Sequence, residues 1–157
     1  MRIHDLVIDN FRAIEHLELR DLPDTGMIVI HGQNEAGKST IVEALDVVLT
    51  EKHTAGSSGI RELQPVGKDV SPEVNADISV GEYRFRIAKR WLKKRYSELV
   101  ISSPRHAQFT GRQADDELEQ ILSRNMDRQL LDVLFMRQDD SKDAISAAGI
   151  PSLTRAL

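Results

Sequence analysis

Residues Gly32-Gln33-Asn34-Glu35-Ala36-Gly37-Lys38-Ser39-Thr40 satisfy every fixed position of the pattern G-x-x-x-x-G-K-[ST]. No other segment constrains the fold as much, because this pattern works as a tight turn joining a strand to a helix. An apolar run, Met27-Ile28-Val29-Ile30-His31, stands before it, and a helical pattern from Ser39 to Thr50 follows. The expected local order is strand, glycine loop, helix.

The residue types suit anion binding. Gly32 and Gly37 can take backbone angles closed to other residues, so the loop can curl with its N–H groups pointing inward. Those donors, with the positive end of the following helix, make a cradle for phosphate oxygens. Lys38 would set a point charge on the β- and γ-phosphates, and the Ser39 hydroxyl would hold a Mg²⁺ bridging them. Thr40 offers a further hydroxyl near the α-phosphate. A glycine-rich turn could match by accident. With glycine at roughly 7% of residues, four fixed positions in a strand-to-helix context favour nucleotide binding.

A chain of 157 residues can bury one real core. It has no cysteine, which excludes disulfides and cysteine-based metal sites. No apolar run approaches the roughly 18 residues needed to cross a bilayer. The start, Met1-Arg2-Ile3-His4-Asp5, lacks a secretory pattern. A cytoplasmic protein without membrane contact is expected. The five histidines are too scattered to suggest a metal site.

Charge is unevenly placed. Arg84, Arg86, Lys89, Arg90, Lys93, Lys94 and Arg95 lie in one stretch with no acid among them. Setting these seven positives aside from the net −4 leaves −11 for the rest of the chain. The stretch reads either as a surface for DNA phosphates or as a solvated strand face with a lysine-rich turn.

Along the chain, Ile3–Ile8 and Ile14–Leu19 read as two strands. In the helix after the glycine loop, Ile41, Leu45 and Val48 form one stripe that Val42 and Leu49 widen, so this helix belongs in the interior. Residues 51–73 are rich in glycine, proline and serine and read as irregular. Residues 74–102 read as an antiparallel meander of three strands, with Trp91 assigned to the core. From 103 to 157 the pattern turns helical, with stretches at Leu118–Leu122 and Leu130–Leu134 and a start of helix at Ile150–Leu157.

Three separated pieces now fall in order: Asn10-Phe11-Arg12, the loop at Gly32–Thr40, and Arg137-Gln138 after an apolar run. Together they resemble the N-terminal lobe of SMC-like, ABC-type ATPases, including the double-strand-break repair ATPase, SbcC and RecF groups. The resemblance implies an α/β P-loop NTPase fold over residues 1–157, with an antiparallel meander and a short helical region. It implies ATP and Mg²⁺ as ligands, Gln138 as the glutamine of the Q-loop near Mg²⁺, and Arg12 near the nucleotide. Catalytic roles would fall to Lys38 and Gln138.

The family also needs an apolar strand ending in Asp-Glu and an LSGG-like helix start, and neither occurs in this sequence. In SMC-like proteins those parts belong to a C-terminal lobe beyond a long coiled coil, which would begin near Leu157. The resemblance therefore implies half of a head, incomplete without its C-terminal lobe. Its partners would be that lobe, a second ATPase head, and DNA or a nuclease. The expected function is ATP hydrolysis driving DNA repair, recombination or chromosome maintenance. The rivals are a nucleotide-gated clamp or adaptor without significant hydrolysis, and a small stand-alone P-loop kinase or GTPase.

Overall fold

The computed structural model describes residues 1–31 and 37–127. Six strands form one antiparallel sheet: β1 (Arg2–Phe11), β2 (Ile14–Leu19), β3 (Glu73–Val80), β4 (Tyr83–Arg90), β5 (Tyr96–Ser103) and β6 (Ala107–Thr110). Their order is β2-β1-β3-β4-β5-β6. Three helices complete the described chain: α1 (Lys38–Thr50), the single-turn α2 (Ser58–Arg61) and α3 (Arg112–Asn125). The fold is α/β, with α1 and α3 on one face of the sheet.

Strand alternation explains why that face is covered. Leu6 pairs with Ala76, Ala76 with Ile87, and Ile87 with Leu99, so small and large apolar residues form a row across four strands. All four are buried. Side chains one residue along point the other way, because the strand period is two. α1 lies against β1, β3 and β4, and α3 against β5, β6 and β3. Ile41, Ala44, Leu45 and Val48 carry the buried stripe of α1; Ala114, Leu118, Ile121 and Leu122 carry that of α3. Trp91 is fully buried, and its indole N–H donates to the Lys52 carbonyl at 3.1 Å, which meets the core assignment.

The outer sheet face is a lattice of paired charges. Arg90 sits opposite Glu73 and bonds it at 2.6 Å, while Arg84 reaches Asp77 at 3.1 Å. Such half-solvated pairs contribute little each, on the order of 1 kcal/mol or less. Their effect is to keep this face polar and unoccupied by apolar partners.

Two sequence expectations need correcting. Met27–His31 forms no strand. Met27, Ile28, Val29 and Ile30 are 86%, 48%, 70% and 42% exposed. β-structure needs a ladder partner as well as propensity, and no described strand pairs with this segment. The second correction is β6, which lies where a helical pattern was expected. Four residues are too short to display alternation, and β6 exists because β5 offers it an edge, with Leu99 opposite Phe109 and Ile101 opposite Ala107. The helical stretches at Leu130–Leu134 and Ile150–Leu157 lie outside the described residues.

Candidate nucleotide site

The helix that follows the glycine loop starts where the pattern puts it. Gly37 caps α1 with φ 84° and ψ 16°, a left-handed geometry that favours glycine. A Cβ there would also stand 3.1 Å from Cγ1 of Ile14. Both the backbone conformation and the tight approach of Ile14 thus disfavour a side chain here. Lys38, Ser39 and Thr40 form the first turn of α1; Ser39 is exposed, Lys38 half-buried and Thr40 buried. No acid lies in that turn, so the positive end of the helix dipole is not offset there. These features fit a bound phosphate, with the exposed Ser39 hydroxyl available to a Mg²⁺. Gly32, Gln33, Asn34, Glu35 and Ala36 lie outside the described residues, as does Gln138.

Arg12 stands beside this helix. It occupies the tight β1–β2 turn at φ 51°, and its own N–H donates to the Leu63 carbonyl at 2.6 Å. Its guanidinium makes a two-pronged contact with Glu43 of α1, Nε to Oε2 at 2.6 Å and Nη2 to Oε1 at 2.7 Å. The Glu43 side chain is nearly buried while Arg12 remains about one-third exposed. The Glu43 hydrogen bond raises the Arg12 pKa, against the opposing effect of burial. Arg12 also lines an open groove of about 640 Å³ together with Arg61, Gln64 and Lys68. Sequence inspection passed over Glu43. Its signal is an acid set within the apolar run Ile41, Val42, Ala44 and Leu45, four residues after Ser39.

The basic stretch Arg84–Arg95 is not one positive patch. Arg84 is held by Asp77, Arg90 by Glu73, and Lys93 by Asp69. Arg90 further lies over the Tyr96 ring, 5.1 Å from its centre. Burial and the Glu73 carboxylate, to which its hydroxyl donates, push the Tyr96 pKa up. Among the described residues, Arg95 donates to the carbonyls of Leu92 and Thr54 and has no acid partner.

Lys89 departs furthest from expectation. It is 2% exposed and faces the helices, since it shares strand parity with Phe85 and Ile87. Its ammonium donates to the Glu51 carbonyl at 2.8 Å and lies 3.2 Å from Asp115. Asp115 also accepts the backbone N–H of His53 at 3.1 Å and bonds its ring nitrogen Nδ1 at 2.5 Å. Burial pushes the Lys89 pKa down, partly offset by Asp115. Burial also works against the Asp115 carboxylate, but the Lys89 charge and the His53 bonds outweigh it and hold its pKa below the ordinary value. This knot ties the end of α1 to β4 and to the first turn of α3.

Comparison with known proteins agrees with this geometry. Residues 5–149 match the AAA domain family. An uncharacterized protein of Mycobacterium tuberculosis is 37% identical over all 157 residues, and so is one of Mycobacterium bovis. The chain spans 18% of the length of each. The DNA replication and repair protein RecF of Nitrosococcus oceani is 33% identical over 116 residues, covering 66% of this chain and 31% of that protein. A solved chain from work on ATP-driven dimerization and DNA-stimulated activation of SMC ATPases superposes with a TM-score of 0.57 at 17% identity. The match covers 93% of this chain and 98% of that one, and it establishes the fold. The chain belongs to the AAA domain family. Its fold is that of the SMC ATPase chain, and it is similar in sequence to part of RecF. Among the described residues, no helix is long and apolar enough to cross a membrane.

Proposed function

We propose that this lobe binds Mg-ATP at Gly32–Thr40 and, completed by a C-terminal lobe and a second head, hydrolyses it to drive DNA repair, recombination or chromosome maintenance in the cytoplasm. The observation that carries the proposal is the intact phosphate-loop sequence opening into α1, whose first turn has a left-handed glycine cap and no acid. In this reading the loop amides and Lys38 hold the phosphates, and Ser39 and Gln138 hold Mg²⁺. Arg12 reaches the nucleotide from the β1–β2 turn. A second head closes over the γ-phosphate, and Gln138 senses the closure. The energy available for motion is the difference in ATP affinity between closed and open heads.

The exposed run Met27–Ile30 supports an incomplete lobe. Four consecutive apolar side chains without a strand partner among the described residues suit pairing with the C-terminal lobe. The decisive experiment mixes this lobe with its C-terminal counterpart and measures ATP turnover with and without DNA. Turnover that requires both lobes and rises with DNA is expected. Tight ATP binding with no turnover under any condition would favour the nucleotide-gated clamp.

DNA contact is supported by the RecF relative, a DNA replication and repair protein, and by the DNA-stimulated activation of the SMC ATPases; an attached nuclease is a further part of the proposal. Within Arg84–Arg95 DNA contact rests on the exposed Arg86 together with Lys94 and Arg95, because Arg84, Arg90 and Lys93 are matched by acids and Lys89 is buried. Substituting Lys94 and Arg95 by glutamine in the full-length protein should lower the salt-dependence slope of DNA binding by roughly two. An unchanged slope would remove this turn from the DNA surface.

A further inference from the structure

We infer that Glu43 is a positioning residue for ATP binding, acting through Arg12; the inference rests on the proposal that Gly32–Thr40 holds the phosphates. Two contacts pin the β1–β2 turn against the start of α1. Ile14 packs on the bare α-carbon of Gly37, and Arg12 engages Glu43 through two nitrogens. Gly37 and Glu43 lie six residues apart, which is under two turns of one helix. The turn carrying Arg12 is therefore fixed to the same short stretch of α1 that carries Lys38 and Ser39.

The chemistry of the pair points beyond packing. A bidentate guanidinium–carboxylate contact fixes the plane of the arginine fork as well as its position. An ion pair with one partner nearly buried is poor at stabilising a fold compared with apolar side chains of the same volume. Holding a cation in a set orientation beside a phosphate loop is something apolar side chains cannot do. Nε and Nη2 are bound to Glu43, which leaves Nη1 outside that contact. Glu43 also sits four residues after Ser39, on the same helical face. By simple Coulomb repulsion, a carboxylate so close to bound phosphates lowers their affinity. Its presence makes sense where the geometry it imposes on Arg12 outweighs that repulsion.

These opposed effects give a sharp test in the full-length protein, using calorimetric titration with Mg-ATP and steady-state turnover. Glu43→Gln keeps the shape but loses the charged fork, and should weaken ATP binding at least tenfold, in line with loss of a charge-assisted contact. KM should rise while kcat at saturating ATP stays near the wild-type value. In an Arg12→Ala background, Glu43→Gln should have little further effect, because its influence passes through Arg12. Affinity that is unchanged or increased in Glu43→Gln would overturn the inference, the second result being what charge removal alone gives. Should Glu43→Gln fail to fold, Arg12→Lys keeps the charge without the fork and should show the same loss; wild-type affinity in that variant overturns it equally. Absence of ATP binding by the wild-type protein would instead overturn the proposed function.

Discussion

Replacing Lys89 by methionine in the full-length protein is expected to destabilise this lobe by about 3–5 kcal/mol, the usual result of stripping one partner from a buried ion pair. The substitution leaves the Asp115 carboxylate buried without its cation and removes the donor to the Glu51 carbonyl at the end of α1. Lost charge rather than lost packing sets the size of the effect, since methionine fills nearly the same volume. Combining Lys89→Met with Asp115→Asn removes both charges while keeping an acceptor for the His53 N–H. The double variant should recover most of the loss, giving strong non-additivity. Denaturant unfolding checks this. A single variant with the wild-type midpoint would mean that Lys89 and Asp115 do not form the observed pair. The pH dependence has a defined sign. The folded-state pKa of Asp115 is depressed, so its contribution is present above the ordinary carboxylate value and is lost as pH falls through the folded value. The double variant should therefore show a shallower acid limb than wild type.

Lys38→Ala should reduce Mg-ATP affinity by about a hundredfold or more. A charge-assisted hydrogen bond contributes about 1.5–3 kcal/mol, and each 1.4 kcal/mol is a factor of ten in affinity. The charge on the β- and γ-phosphates adds to the loss. Alanine is the strongest helix former, so the start of α1 keeps its helix propensity in this variant. Near-normal affinity in this variant would mean that another site holds the phosphates.

Much of this was legible from patterning. Alternation at Val74–Val80 and Tyr83–Ile87 marked β3 and β4, and the stripe Ile41, Leu45, Val48 marked α1 as a buried helix. What escaped did so for physical reasons. Met27–Ile30 has the composition of a strand, but a strand is a pairing, and a segment's own residues do not report whether a partner exists. β6 was hidden because an edge strand of four residues owes its form to its neighbour. In the basic stretch, Lys89 shares parity with Phe85, Ile87 and Trp91, so its inward direction was readable. Its partners were not, since Asp115 and the Glu51 carbonyl are brought to it by tertiary packing across 26 and 38 positions of chain. The same holds for the acids that match Arg84, Arg90 and Lys93, which lie on neighbouring strands or loops. At the candidate site the motif identified Gly37, Lys38 and Ser39 directly. Glu43 was missed because a helix pattern shows that an acid interrupts an apolar run without showing which arginine reaches it.

The central claim is that residues 32–40 grip the triphosphate tail of a nucleotide. Its most direct measurement is a calorimetric titration of Mg-ATP into the intact protein, repeated in the presence of inorganic triphosphate and, separately, of adenosine. A single saturable binding event, suppressed by triphosphate and indifferent to adenosine, is the predicted result. No heat with Mg-ATP, or suppression by adenosine alone, would contradict it.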